Sequence, residues 1–124
     1  MTQEDKELLI KDLCERLPYG VKFLRESWNF EWDQELSVIE VLEDIDKDGY
    51  INNTKVYNVE DIKPYLLPLS SMTDEEKEEY CQLQQKGANE DVTKYINYCY
   101  KKHLDINNLI PIGLAIDATN LNIY

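Results

Sequence analysis

The sequence is poor in the residues on which most enzymes and phosphate binders depend. In 124 residues it has one histidine, His103, with three cysteines, four glycines and four prolines. One imidazole leaves no histidine pair for metal binding or acid–base work. Few glycines leave few loops able to cradle phosphate. No Gly-x-x-x-x-Gly-Lys string, Gly-x-Ser-x-Gly elbow or dinucleotide fingerprint is present. Basic residues are also scarce: 13 Lys+Arg stand against 25 Asp+Glu, for a formal net charge of −12. A field of that sign excludes a protein that grips nucleic-acid backbones, and it argues against an anionic membrane surface as partner. Long apolar runs are missing too. The richest stretch, Leu109 to Ile116, is interrupted by Pro111 and Gly113 and falls well short of the ~20 residues that span a bilayer. The start, Met1 to Lys6, is acidic, and the first apolar run is only Leu8-Leu9-Ile10, so no secretory leader is expected. Cys14, Cys81 and Cys99 are odd in number and widely spaced. They read as free thiols in a reducing compartment, so the expected location is cytoplasmic.

What remains suits one domain spanning residues 1–124. At 14.7 kDa, with 43% hydrophobic and 31% charged residues, the chain can build one core but not two. No repeat, linker or low-complexity block divides it.

Thr2 is a helix N-cap candidate, Glu4 and Asp5 suit the positive end, and Leu9, Leu13 and Leu17 recur at helical spacing, predicting a helix over 2–17 that Pro18 and Gly20 end. The period then changes to two. Val21 and Phe23, then Trp28, Phe30 and Trp32, alternate with polar residues, and β-branched residues crowd Leu36 to Leu42. A further run follows Asp48-Gly49, a hairpin signal. These predict three or four short antiparallel strands, arranged as a meander able to curl into an SH3-like half-barrel. Such a sheet needs flanking helices to cover it. Val59 to Tyr65 predicts one helical turn before Pro64 and Pro68 intervene. Thr73 and Glu76 form a capping box that opens a helix ending at Gly87. A second helix, starting near Asn89, carries Val92, Ile96, Cys99 and His103 on one face. Asp105 is positioned to cap a last short helix, and the apolar tail to Tyr124 is expected to pack. The fold class is therefore α+β: an N-terminal helix, a small antiparallel sheet of three to four strands and a helical C-terminal half.

The charge is uneven. Residues 1–91 hold 23 acids and 10 bases, whereas residues 92–124 hold two acids and three bases. Residues 31–48 alone hold eight acids, Glu31, Asp33, Glu35, Glu40, Glu43, Asp44, Asp46 and Asp48, against Lys47. The plain reading is a solvated strand face and turn. The sharper one is a surface that docks a basic partner, or one that mimics phosphates, since alternate strand carboxylates repeat at about 7 Å.

Asp44-Ile45-Asp46-Lys47-Asp48-Gly49-Tyr50-Ile51 matches the start of an EF-hand loop, but the twelfth position, normally a bidentate Glu, is Lys55. The reading is an acidic hairpin turn, with no metal assigned. Cys99 and His103 are four apart, and neither Cys14 nor Cys81 supplies a second close pair of zinc ligands, so a packed helix face is expected, not a metal centre. No catalytic constellation can be named, so no catalytic residue and no cofactor are expected. The aromatics are the better clue. On one strand, Trp28, Phe30 and Trp32 would share a face. That face is the expected core seam against the helices, or, if partly open, a set of partner-binding anchors.

Three strings carry a resemblance: Leu13-Cys14-Glu15-Arg16-Leu17-Pro18-Tyr19-Gly20-Val21-Lys22; Asp61-Ile62-Lys63-Pro64-Tyr65-Leu66-Leu67-Pro68-Leu69-Ser70-Ser71-Met72-Thr73; and Gly113-Leu114-Ala115-Ile116-Asp117-Ala118-Thr119, continuing into Leu121-Asn122-Ile123-Tyr124. In this order they resemble small, acidic, uncharacterised proteins of gut Bacteroides genomes and of their prophages and phages. The resemblance spans nearly the whole chain and implies a phage- or mobile-element-associated accessory role, with no known activity or cofactor. The strands between the first two strings vary more within that group, which is compatible with a binding surface on a fixed scaffold.

The functional expectation is a cytoplasmic, non-catalytic protein-interaction module. It would bind a basic protein through the acidic sheet side, with Trp28, Trp32, Glu31, Asp33 and Glu35 as candidate partner-binding residues, and with no direct nucleic-acid or membrane contact. A nucleic-acid-mimic inhibitor of a DNA-binding protein and a small enzyme of unknown class are the alternatives.

Overall fold

A computed structural model describes residues 2–29, 34–53, 56–87 and 93–124, with the backbone alone described at 26–29, 34–38, 84–87 and 93. The first helix, α1 (Gln3–Arg16), starts where the sequence predicts: the Asp5 amide donates to the Thr2 hydroxyl at 3.1 Å. Leu9 and Leu13, one turn apart, are both fully buried. A 3-10 turn at Leu17–Tyr19 follows, and Gly20, at φ 69°, turns the chain into the sheet.

Strand β1 (Lys22–Asn29) runs antiparallel to β2 (Gln34–Val41) in an unbroken register from Lys22 opposite Val41 to Asn29 opposite Gln34. Two short strands, β3 (Tyr50–Asn52) and β4 (Val56–Asn58), pair only with each other. The other edge of β1 is taken by β5 (Ile62–Leu66), with Phe23 opposite Pro64. Helices α2 (Asp74–Gly87) and α3 (Thr93–Lys101) follow, and β6 (Ile116–Asp117) closes the sheet in the order β2-β1-β5-β6.

The architecture is thus α+β, with corrections in the sheet. The predicted meander of consecutive strands is instead a mixed four-stranded sheet beside a separate hairpin, and β6 runs parallel to β5. The strands are divided between two sheets. The segment predicted as a helical turn keeps only a 3-10 turn at Val59–Asp61, and Ile62–Leu66 becomes a strand that contains Pro64. Proline is tolerated there because β6 meets β5 only at Tyr65 and Leu66, so the ladder on that edge does not reach Pro64.

One face of the sheet is buried. Val21, Phe23, Leu42, Ile62 and Leu66 pack with Leu9 and Leu13 of α1, Ile51 and Val59 beside the hairpin, and Leu109, Leu114 and Ala115 near the C-terminal end. Within this layer, Asp12 and Arg16 of α1 are both fully buried and paired. The capping box holds α2: the Thr73 amide donates to Glu76 Oε1 at 3.0 Å and the Glu76 amide to Thr73 Oγ1 at 3.2 Å. The short helix expected after Asp105 does not form. The Asp105 carboxylate instead accepts from the Leu109 and Ile110 amides at 2.8 and 2.9 Å, closing a succession of turns. The tail does pack. The Tyr124 hydroxyl donates to the Tyr65 carbonyl at 2.8 Å, and the Lys22 amide donates to that hydroxyl at 2.7 Å.

Candidate protein-binding surface

Alternation along β1 and β2 separates two faces. Val21 and Phe23 of the β1 segment, with Leu42 after β2, point into the core. Arg25 and Glu40 share their parity, and Arg25 Nε lies 3.4 Å from Glu40 Oε2 as an ion pair, with the guanidinium 4.6 Å from the Tyr57 ring centroid. Burial, then the hydrogen bond with Glu40, raises the Tyr57 hydroxyl above its ordinary value. The other parity holds Lys22 and Leu24 of β1 opposite Val41 and Ile39 of β2. Ile39 and Val41 are 50% and 45% exposed, so on β2 this face is open and apolar, whereas Lys22 lies against the Tyr124 ring.

Of the five candidate partner-binding residues, Trp28 and Glu35 are brought directly opposite each other in the ladder. Glu31, Trp32 and Asp33 lie outside the described residues. The register bears on the expected core seam. Position 28 has the parity of Lys22 and Leu24 in that register, and its side chain lies outside the described residues. The ladder has no bulge between Lys22 and Asn29, so backbone alternation runs unbroken along it. Nor do the aromatic positions lie on one described strand. β1 ends at Asn29, and β2, starting at Gln34, runs back along it.

Among the described residues, the acids of 31–48 do not form a single strand face. Among the described side chains, Glu40 turns inward to Arg25, and the others gather in the turn after β2. There Asp46 Oδ1 accepts from the Asp48 amide at 2.9 Å and the Tyr50 amide at 3.1 Å. These backbone bonds, led by Tyr50, hold the Asp46 carboxyl below its ordinary value. Gly49, at φ 88°, completes the reversal that Asp48-Gly49 predicts. Asp46 thus closes its own turn, whereas Glu43, Asp44 and Asp48 project into solvent. The turn lies beside α1. Burial, then the charges of Glu15, Asp44 and Asp46, raises the Cys14 thiol above its ordinary value. Among the described side chains, the acidic surface therefore joins the 43–48 turn to α1 at the end of β2.

Asn53 is a residue that the sequence did not single out. Its Nδ2 donates to the Val41 carbonyl at 2.8 Å, and its Oδ1 accepts from the Glu43 amide at 2.9 Å. It clamps the hairpin against the end of β2. An isolated Asn in a polar stretch carries no signal for such a role.

The expected Cys99–His103 helix face is not present. α3 ends at Lys101, and His103 lies beyond it at φ 60°. The His103 ring stacks on Tyr124, 3.7 Å between centroids and 10° from parallel. Burial, then the charges of Arg16 and Lys22, lowers His103 to about 4. Burial raises the Cys99 thiol to about 11. Among the described residues, no group of three or more His, Cys, Asp or Glu is placed to hold a metal ion, and no helix is long and apolar enough to cross a membrane.

Comparison with protein-family models, curated proteins and solved structures finds no match to this chain.

Proposed function

We propose that this protein is a non-catalytic interaction module that binds a basic protein partner through the β1–β2 hairpin and the acidic turn beside it. The observation that carries this reading is the junction at the end of β2. Exposed Ile39 and Val41 lie next to exposed Glu43, Asp44 and Asp48, an apolar surface bordered by charge of one sign, as partner-binding surfaces are. Trp28 and Glu35 face each other across one rung of the same ladder. The resemblance of the three sequence strings supports a phage- or mobile-element-associated accessory role in a bacterial cytoplasm.

Mimicry of nucleic acid is the weaker reading. It needs a row of free carboxylates along a strand, and Glu40 is withdrawn into an ion pair with Arg25. Affinity capture on the full chain, compared with a Glu43→Gln, Asp44→Asn, Asp48→Asn variant, tests the proposal. The expected result is a basic protein held by the parent chain, released by salt and lost with the variant. Equal capture by both chains would contradict it, and a partner that DNA competes away would favour mimicry.

A further inference from the structure

The backbone of β2 narrows the kind of partner that fits, on the reading just given. β2 lies at the edge of the four-stranded sheet. Its hydrogen-bonding polarity can be assigned. The Leu42 amide donates to the Val21 carbonyl at 2.9 Å, so position 42 faces the β1 side. The Val41 carbonyl accepts from Asn53, so position 41 faces away. In an antiparallel ladder this direction alternates residue by residue, and a residue's N–H and C=O point to the same side. Glu40 therefore faces β1, and Ile39 directs both of its backbone groups to the outer edge. Among the described residues nothing pairs with Ile39 there.

Asn53 already occupies the adjoining rung. Its amide bonds the Val41 carbonyl and the Glu43 amide together, as the backbone of a neighbouring strand would. The β2 sequence, Gln-Glu-Leu-Ser-Val-Ile-Glu-Val, contains no Lys or Pro, and its two charged residues, Glu35 and Glu40, are acidic and so favour a basic segment. Lys and Pro are foremost among the residues with which edge strands refuse a further strand.

We infer that the outer edge of β2 accepts an extended segment of the partner as an added strand, beginning at Ile39 next to Asn53. An apolar residue of that segment covers Ile39, and Lys or Arg at the end beside Asn53 meets Glu43 and Asp44. A second copy of this chain fits less well, because pairing two β2 edges brings together chains that each carry a net charge of −12.

The test titrates the full, isotope-labelled chain with a short synthetic peptide alternating Val and Lys, and with a control of the same composition in two blocks. The inference predicts tighter binding of the alternating peptide by about tenfold, with slowed amide exchange at Ile39. Ile39→Pro removes only an outward N–H and should weaken the alternating peptide by about fivefold, the worth of one lost hydrogen bond. Ile39→Thr, which keeps the N–H, should bind nearly as the parent does. Ile39→Lys, a milder change to the fold, should weaken binding by repulsion. Equal binding of both peptides, unaffected by Ile39→Pro and Ile39→Lys, would overturn strand addition while leaving the basic-partner reading in place. No binding of either peptide at about 1 mM in low salt would overturn both. An Ile39-dependent dimer of the free chain would assign the edge to a second copy and overturn the inference.

Discussion

Replacing Asp12 with Ala should be among the most damaging single changes in this protein. Asp12 and Arg16 are both 0% exposed. Arg16 Nε and Nη2 donate to the two oxygens of Asp12, the second at 3.2 Å, and Nη2 also donates to the Leu104 carbonyl at 2.7 Å. Asn107 Nδ2 donates to Asp12 Oδ2 at 2.7 Å, and the Tyr100 ring centroid lies 4.9 Å from the guanidinium carbon. The pair ties α1 to the end of α3 and to the turns behind it. In Asp12→Ala the guanidinium stays buried with no carboxylate beside it, and the Asn107 amide loses its acceptor. Breaking a buried pair in this way costs about 3–5 kcal/mol, against a total stability of about 5–15 kcal/mol for a domain. Replacing both charges removes the stranded cation. Asp12→Leu with Arg16→Met should therefore recover at least about 2 kcal/mol of the loss. Urea unfolding followed by circular dichroism, for the parent, both single variants and the double variant, measures this directly. A loss below about 1 kcal/mol for Asp12→Ala, or a double variant no more stable than the worse single, would refute the reasoning.

Three further outcomes are expected. His103 is held at about 4 against an ordinary 6.5, so the unfolded chain takes up the proton first. Stability should be full above about pH 6.5 and fall towards pH 4 by about 1–2 kcal/mol after allowing for the partial exposure of the ring; unfolding curves across that range should show the decline, and His103→Asn, which suits φ 60°, should flatten it. Gly49→Ala should cost about 1–3 kcal/mol by thermal unfolding, because at φ 88° the new Cβ would stand 2.9 Å from Ile10 Cδ1 and 3.3 Å from Val59 Cγ2. Thr73→Ala removes a 3.2 Å bond to the Glu76 amide and should cost about 1 kcal/mol, read as faster amide exchange in the first turn of α2.

Local signals carried much of this fold. Thr2, the Thr73–Glu76 box and Asp48-Gly49 each act over a few residues, and each operates as its chemistry predicts. Pairings between distant residues were hidden. β5 forms because Ile62 is buried opposite Arg25 of β1 and Leu66 opposite Asp117 of β6, both partners far away in sequence, and no local pattern outweighed its proline. His103 leaves its helix at a left-handed residue, and its ring meets Tyr124 at the chain's end, so helical spacing from Cys99 misplaced it. The acidity of residues 31–48 was plain from composition. That Glu40 turns inward while Asp44 and Asp48 stay in solvent depends on strand parity and register.

The most direct test of the central claim is calorimetric titration of the full chain with the alternating Val/Lys peptide at low and high salt, repeated with the Glu43→Gln, Asp44→Asn, Asp48→Asn variant. Binding through an acidic border predicts a dissociation constant about tenfold weaker at high salt, and a comparable loss in the variant at low salt. An affinity indifferent to both salt and the three neutralised carboxylates would contradict it.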